Sequence, residues 1–251
     1  MKLVACKTTE ELGKLSAIQA AEAVNKAIAE NGSARILLST GASQFPFFTE
    51  FVKQPIDWSK VEMFHLDEYV GISEEHPASF KRYLLDRFVN VVNPAKAHLI
   101  NGSANPEETI AELTALLNER PIDVGLIGIG ENAHIAFNDP PADFNDTRTY
   151  KVVTLDDRCL QQQIGEGWFK NVEETYKQAI SMTAPQIMKC KVIISVVPYK
   201  VKAEAIYNTL TKDLTPMVPA TLLKEHADCT VYVDADSASL LNEEIIAKYS
   251  K

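Results

Sequence analysis

No run in this 251-residue sequence approaches the roughly 18 consecutive apolar residues that a bilayer-spanning helix needs. The N-terminus has only the short stretch LVAC before turning charged, which predicts no signal peptide. Cysteine is sparse: Cys6, Cys159, Cys190 and Cys229 are spread over the whole chain with no CxxC pair. That spacing argues against a disulfide framework or a zinc site and for reduced thiols in a cytoplasmic protein. Basic residues are the minority, 25 against 34 acidic, giving a formal charge of −9 and a pI near 5.1. A surface of that sign repels polyanions, so broad electrostatic binding to nucleic acid or to an anionic membrane is excluded. Any anion bound here must be held in a local pocket against the net field. Repeats, low-complexity tracts and linkers rich in Gly or Ser are also missing, so residues 1–251 are expected to form a single domain.

What the sequence does have is alternation. Short β-branched runs at Lys2–Ala5, Arg35–Leu38, Val61–Leu66, Ala97–Ile100, Val124–Ile129, Lys191–Val197 and Cys229–Val233 read as strands. Between them lie helical stretches, beginning with one capped at Thr8–Thr9 and running to about Asn31. Others are expected at Pro46–Val52, His76–Val89, Pro106–Leu117, Lys200–Leu210 and from about Ala238 to Lys248. Strand–helix alternation predicts an α/β fold, a doubly wound and mostly parallel sheet with helices on both faces. Ligands of such sheets bind in the loops that follow the carboxyl ends of strands.

Three of those loops carry chemistry. Ser39-Thr40-Gly41-Ala42-Ser43-Gln44 follows ILL and offers hydroxyls, a glycine and free backbone N–H groups leading into a helix, a cradle suited to phosphate. Asp67 and Glu68 follow MFHL; one of the two is expected to face the crevice, where burial tunes a carboxylate for proton transfer. The third loop, Gly128 to Pro141, begins GIGENA, which fits GxGxxA. Pro140 and Pro141 leave no room for a long helix, and Asp156 comes too late for the ribose-binding acid of a dinucleotide site. Its glycines, Gly130 among them, are better read as allowing close approach to a smaller ligand. His134 lies between Asn132 and Asp139, either of which could orient its ring. Lys202, with Lys200, opens the helix after VIISVV, where a cation does nothing for the helix dipole and suggests a bound anion. His65 and Asp67 are too short a signal for a metal, and none is expected.

Taken together these segments resemble the glucosamine-6-phosphate deaminase (isomerase) family over nearly the full length. The match rests on STGAS at 39–43, LDEYVGISEEHPASF at 66–80, GIGENAHIAFNDPP at 128–141, KAEA at 202–205 and PATLLKEH at 219–226. DEYVG and HIAFN distinguish the chain from the 6-phosphogluconolactonases, which share the fold. The resemblance implies conversion of glucosamine 6-phosphate and water to fructose 6-phosphate and ammonia, with no redox cofactor and a small-molecule sugar phosphate as partner. It gives Asp67 the proton transfer between C2 and C1 and His134 a proton shuttle at the ring oxygen. Thr40, Gly41, Ala42 and Ser43 become the phosphate loop, with Lys202 as its cation, while Glu68 stands beside the base with no step of its own.

The chain also departs from that pattern. Asn132 replaces an aspartate and contributes no negative charge, while Asp139 replaces a glutamate and is one methylene shorter. An expected phosphate-binding arginine is Gln163, leaving Arg158 or Arg148 as substitutes. These changes keep two alternatives open: another substrate, such as galactosamine 6-phosphate, or a weakly catalytic sugar-phosphate-binding regulator. Homo-oligomerisation is left open as well.

Overall fold

The computed structural model describes residues 1–165, 167 and 169–250, apart from the side chains at 158, 159, 162 and 163. β1 (Lys2–Ala5) leads into α1 (Thr9–Asn31), whose first turn is capped by the Thr8 hydroxyl accepting from the Glu11 N–H. β2 (Ala34–Leu38) is followed by a 3-10 turn at Ala42–Gln44 and by α2 (Phe45–Phe51). β3 (Val61–His65) passes through Leu66 into β4 (Asp67–Tyr69). α3 (Phe80–Leu84) continues as a π turn (Leu85–Val89) and α4 (Asn90–Val92). Next come β5 (Lys96–His98), α5 (Pro106–Glu119) and β6 (Val124–Ile127), then β7 (Tyr150–Thr154), α6 (Asp157–Gly165), β8 (Gln178–Met182) and α7 (Ala184–Ile187). β9 (Val192–Val197), a 3-10 turn at Lys200–Lys202, α8 (Ala203–Thr211), β10 (Cys229–Val233) and α9 (Glu243–Tyr249) complete the order.

Seven of these strands form a parallel sheet in the order β1-β10-β9-β6-β2-β3-β5. Its central strands are buried on both faces, which is why they read as unbroken apolar runs. Period-two alternation then divides the core. Ile36, Leu38, Met63, Leu126 and Ile194 pack with α1 and α2, whereas Leu37, Phe64, Ile127, Ile193 and Val231 pack with α5, α7 and α8. The fold is therefore the mostly parallel, two-faced α/β architecture that the alternation implies. Among the described residues no helix is long and apolar enough to cross a membrane.

A second, antiparallel sheet in the order β4-β8-β7 is not foreseen by the alternation. Asp67 and Glu68 consequently stand in a strand rather than in a loop. Leu66 joins the two sheets: its N–H donates to the Leu38 carbonyl at 3.2 Å, and its own carbonyl accepts from Met182 N–H at 3.0 Å. Two helix starts also move. The helix expected from His76 begins at Phe80, because Ser79 Oγ caps it and the His76 ring instead accepts the Ala78 N–H. The terminal helix begins at Glu243 rather than Ala238, where Asn242 accepts the Ile245 N–H. Cys6, Cys190 and Cys229 are buried free thiols, and the side chain of Cys159 lies outside the described residues.

Candidate active site

The chain runs outward from β2 to β3 and β5, then returns to place β6 on the other side of β2, so the crossovers diverge between these two strands. Open α/β sheets bind ligands at that point. One cavity opens there. The segment after β2 supplies Ser39, Thr40, Gly41, Ser43 and Gln44, and the segment after β3 supplies Leu66 and Asp67. Gly128, Gly130, His134 and Phe137 enter from the loop after β6, Lys202 from the turn after β9, and Phe80 from α3.

At the β2 end, Gly41 has φ +102 and ψ 163, a conformation open essentially to glycine alone. Its carbonyl accepts from the Gln44 N–H at 3.0 Å and from the Tyr83 hydroxyl at 3.1 Å. Among the described residues, the N–H groups of Thr40, Gly41 and Ala42 donate to no protein acceptor. Ser39 Oγ is buried with no hydrogen-bond partner and borders the same cavity. Gln44 ties the turn to β9 by donating from Nε2 to the Val196 carbonyl at 3.0 Å. Lys202 is only 3% exposed, whereas Lys200 points to solvent. Unpaired N–H groups, a buried hydroxyl and a buried ammonium suit an anion with several acceptor oxygens. Ala42 opens the 3-10 turn but does not line the cavity.

Asp67 and Glu68 point to opposite sides of β4, as neighbours in a strand must. Asp67 is 6% exposed and lines the cavity. Burial, then the neighbouring charge of Glu68, pushes its carboxyl up to about 8. Glu68, a possible substrate-binding residue by its place beside the base, turns away from the cavity and does not line it. Its carboxylate accepts from the N–H groups of Tyr69, Phe80 and Lys81 and from the Ser79 hydroxyl, at 2.7 to 3.2 Å. Burial lifts it to about 7 in spite of those donors.

The loop after β6 presents the imidazole. His134 Nδ1 lies 2.8 Å from Asp139 Oδ1, so the carboxylate makes Nδ1 the protonated nitrogen of the neutral ring. The hydrogen bonds of the Asn132 side chain go past the ring to its neighbours. Asn132 donates from Nδ2 to Asp139 at 3.0 Å and accepts the His134 backbone N–H at 3.1 Å, bracing both members of the pair. Asp139 thus reaches both the ring and Asn132 although it is one methylene shorter than a glutamate. Burial alone would raise the Asp139 carboxyl, but the bonds from His134 and Asn132 hold it below the ordinary range. Gly130 lies against the ring: a Cβ there would come within 2.1 Å of His134 Nε2. Asn138 ties the loop to the second sheet by donating to the Ile135 and Met182 carbonyls.

Among the phosphate-binding substitutes, Arg148 lies outside the cavity with its guanidinium forked onto Asp146, at 2.9 and 2.7 Å. The Arg158 and Gln163 side chains lie outside the described residues. Ser39 and Gln44, the two ends of the loop read as a phosphate cradle, both border the cavity, whereas Phe80 borders it without having been singled out from the sequence. No group of three or more metal-ligating side chains occurs among the described residues.

Comparison with known proteins places this geometry in a lineage. The Glucosamine-6-phosphate isomerases/6-phosphogluconolactonase family matches residues 7–232. A glucosamine-6-phosphate deaminase of Thermoanaerobacter pseudethanolicus is 36% identical, with 97% of this chain and 96% of that protein covered. One from Streptococcus gordonii is 33% identical over 96% of this chain and all of its own length. Among solved structures, a monomeric glucosamine-6-phosphate deaminase superposes with a TM-score of 0.87 at 29% identity, covering 96% of this chain and 100% of its own. A 6-phosphogluconolactonase from Shewanella baltica shares the fold, with a TM-score of 0.77 at 18% identity over 94% of this chain and 98% of its own. The chain belongs to the Glucosamine-6-phosphate isomerases/6-phosphogluconolactonase family.

Proposed function

We propose that this enzyme converts glucosamine 6-phosphate and water to fructose 6-phosphate and ammonia, an isomerisation coupled to hydrolysis of a carbon–nitrogen bond. One observation carries the reading: a buried carboxyl and a carboxylate-held imidazole border the same cavity as an anion-ready loop and a buried lysine. The relatives named deaminases support it, since they align over nearly the full chain.

In this reading the loop at 39–43 and Lys202 grip the phosphoryl group, and that remote binding energy positions the reacting end of the sugar. His134, oriented by Asp139 and braced by Asn132, moves a proton at the ring oxygen to open the ring. Asp67 then takes the C2 proton; the electron pair left at C2 forms the C1–C2 double bond, and the C1 oxygen gains a proton. Return of the proton from Asp67 to C1 leaves an imine at C2. Water adds there and ammonia leaves, so the balance closes without a redox partner. A carboxylate raised by burial is a stronger base than an exposed one, which suits abstraction of a carbon-bound proton. A cytoplasmic location belongs to the same reading, since buried thiols stay reduced there.

The test is direct. Purified protein mixed with glucosamine 6-phosphate should release ammonia and fructose 6-phosphate in equal amounts, and no product at high enzyme concentration overturns the reading. Faster turnover of galactosamine 6-phosphate would reassign the substrate. Lys202→Met should raise KM by about 10- to 100-fold, as expected for losing a charge-assisted contact, and lower kcat far less.

A further inference from the structure

Neither Glu68 nor Tyr83 lines the cavity, yet between them they connect its two halves. Glu68 follows Asp67 directly and receives the Ser79 hydroxyl together with the Phe80 and Lys81 N–H groups, so β4 is fastened to the first turn of α3. One turn further on, Tyr83 N–H donates to the Ser79 carbonyl at 3.0 Å. The Tyr83 hydroxyl then reaches across to the Gly41 carbonyl at 3.1 Å. Its ring is held by stacking on Phe45 at 5.5 Å and by an edge contact with Phe48 at 5.8 Å, both on the helix that follows the phosphate loop.

The consequence follows from peptide geometry. A trans peptide points its N–H opposite its C=O, so whatever holds the Gly41 carbonyl also sets the direction of the Ala42 N–H. Among the described residues two donors hold that carbonyl, Gln44 N–H from within the turn and the Tyr83 hydroxyl from outside it. Gly41 itself resists rotation weakly, because glycine has no Cβ to restrict it. The outside donor therefore refers the Gly41 peptide to α3, while the Gln44 side chain refers the turn to β9.

We infer that α3 is a strut holding the phosphate loop in register with Asp67, and that Tyr83 is its positioning residue at the loop end. The inference deepens the proposed function and rests on it for the identity of the anion. Tyr83 is not a catalytic residue here, because it acts through the Gly41 peptide.

Tyr83→Phe keeps the ring contacts and removes only the hydroxyl. It should weaken binding of inorganic phosphate, measured by titration calorimetry, by about two- to tenfold, the range of one neutral hydrogen bond. KM for the sugar phosphate should rise by the same factor, with kcat within about twofold of the parent. Ser79→Ala loosens the other end of the strut. Its effect on kcat/KM should be smaller in a Tyr83→Phe background than in the parent, because both changes cut one connection. Unchanged phosphate affinity in Tyr83→Phe, or strict additivity of the pair, overturns the strut. A parent protein whose phosphate affinity depends on the Tyr83 hydroxyl but which turns over no amino sugar would instead overturn the proposed reaction and leave the strut standing.

Discussion

Asp67→Asn should lower kcat by about 10²- to 10⁴-fold, the contribution expected of a positioned base, and at the same time make the protein more stable at alkaline pH. Both effects have one cause. The site holds a carboxyl in a place that favours its neutral form, at about 8 against an ordinary 3.8. The folded protein thus binds that proton more tightly than the unfolded chain does, so its stability declines as pH rises from about 4 to about 8. Asparagine is neutral throughout, and the variant escapes that part of the decline. Denaturant unfolding at pH 5 and pH 8 should therefore show a smaller loss between the two values in Asp67→Asn than in the parent. Glu68 adds its own slope in both proteins, since burial raises it too. On the kinetic side, kcat/KM of the parent should climb with pH through the region near 8, because the base must be ionised to act. Equal pH slopes of stability in the two proteins would mean that Asp67 is solvated and its carboxyl ordinary.

Gly130→Ala should be nearly as damaging, although it adds a single methyl group. The added carbon would fall 2.1 Å from Nε2 and 2.4 Å from both Cδ2 and Cε1 of His134, far inside any van der Waals contact. The ring cannot slide away cheaply, because Nδ1 is bonded to Asp139 and the backbone N–H to Asn132. A displacement of about 1 Å at a catalytic group costs on the order of 100-fold in rate, and breaking the Asp139 bond costs roughly 1–3 kcal/mol of stability. Adding Gly130→Ala to His134→Ala meets no ring to clash with, so the double variant should be as stable as His134→Ala alone, while turnover does not return. A Gly130→Ala protein with parental kcat would show that this ring takes no part in the reaction.

Much of this site is legible in the sequence, for a physical reason. The loops after β2, β6 and β9 each follow a buried strand whose apolar run ends abruptly in Ser39, Gly128 and Pro198, so strand ends and ligand loops are marked by the same residues. The β4 sheet is hidden because Asp67–Tyr69 is three residues long and pairs with Gln178–Met182, more than 100 positions away. Without that strand, nothing decides which of Asp67 and Glu68 faces the cavity; strand alternation decides it at once. The division of labour between Asn132 and Asp139 is equally hidden. It depends on turns at Ala133 and Ala136, both at positive φ, a conformation that alanine does not advertise. Tyr83 reads as one more apolar residue of a helix, since its hydroxyl partner lies 42 positions earlier.

The joint at Leu66 has a further consequence. Because this residue is bonded on one side to the sheet that carries residues 39–43 and on the other to the sheet that carries Asp67, bending there would break a main-chain hydrogen bond. In the proposed reaction the pocket would then work as a gauge of fixed span, measuring how many carbons separate a phosphate ester from the carbon to be deprotonated. A five-carbon amino-sugar phosphate should occupy the anion end and compete with the natural substrate, yet present its second carbon out of the carboxylate's reach.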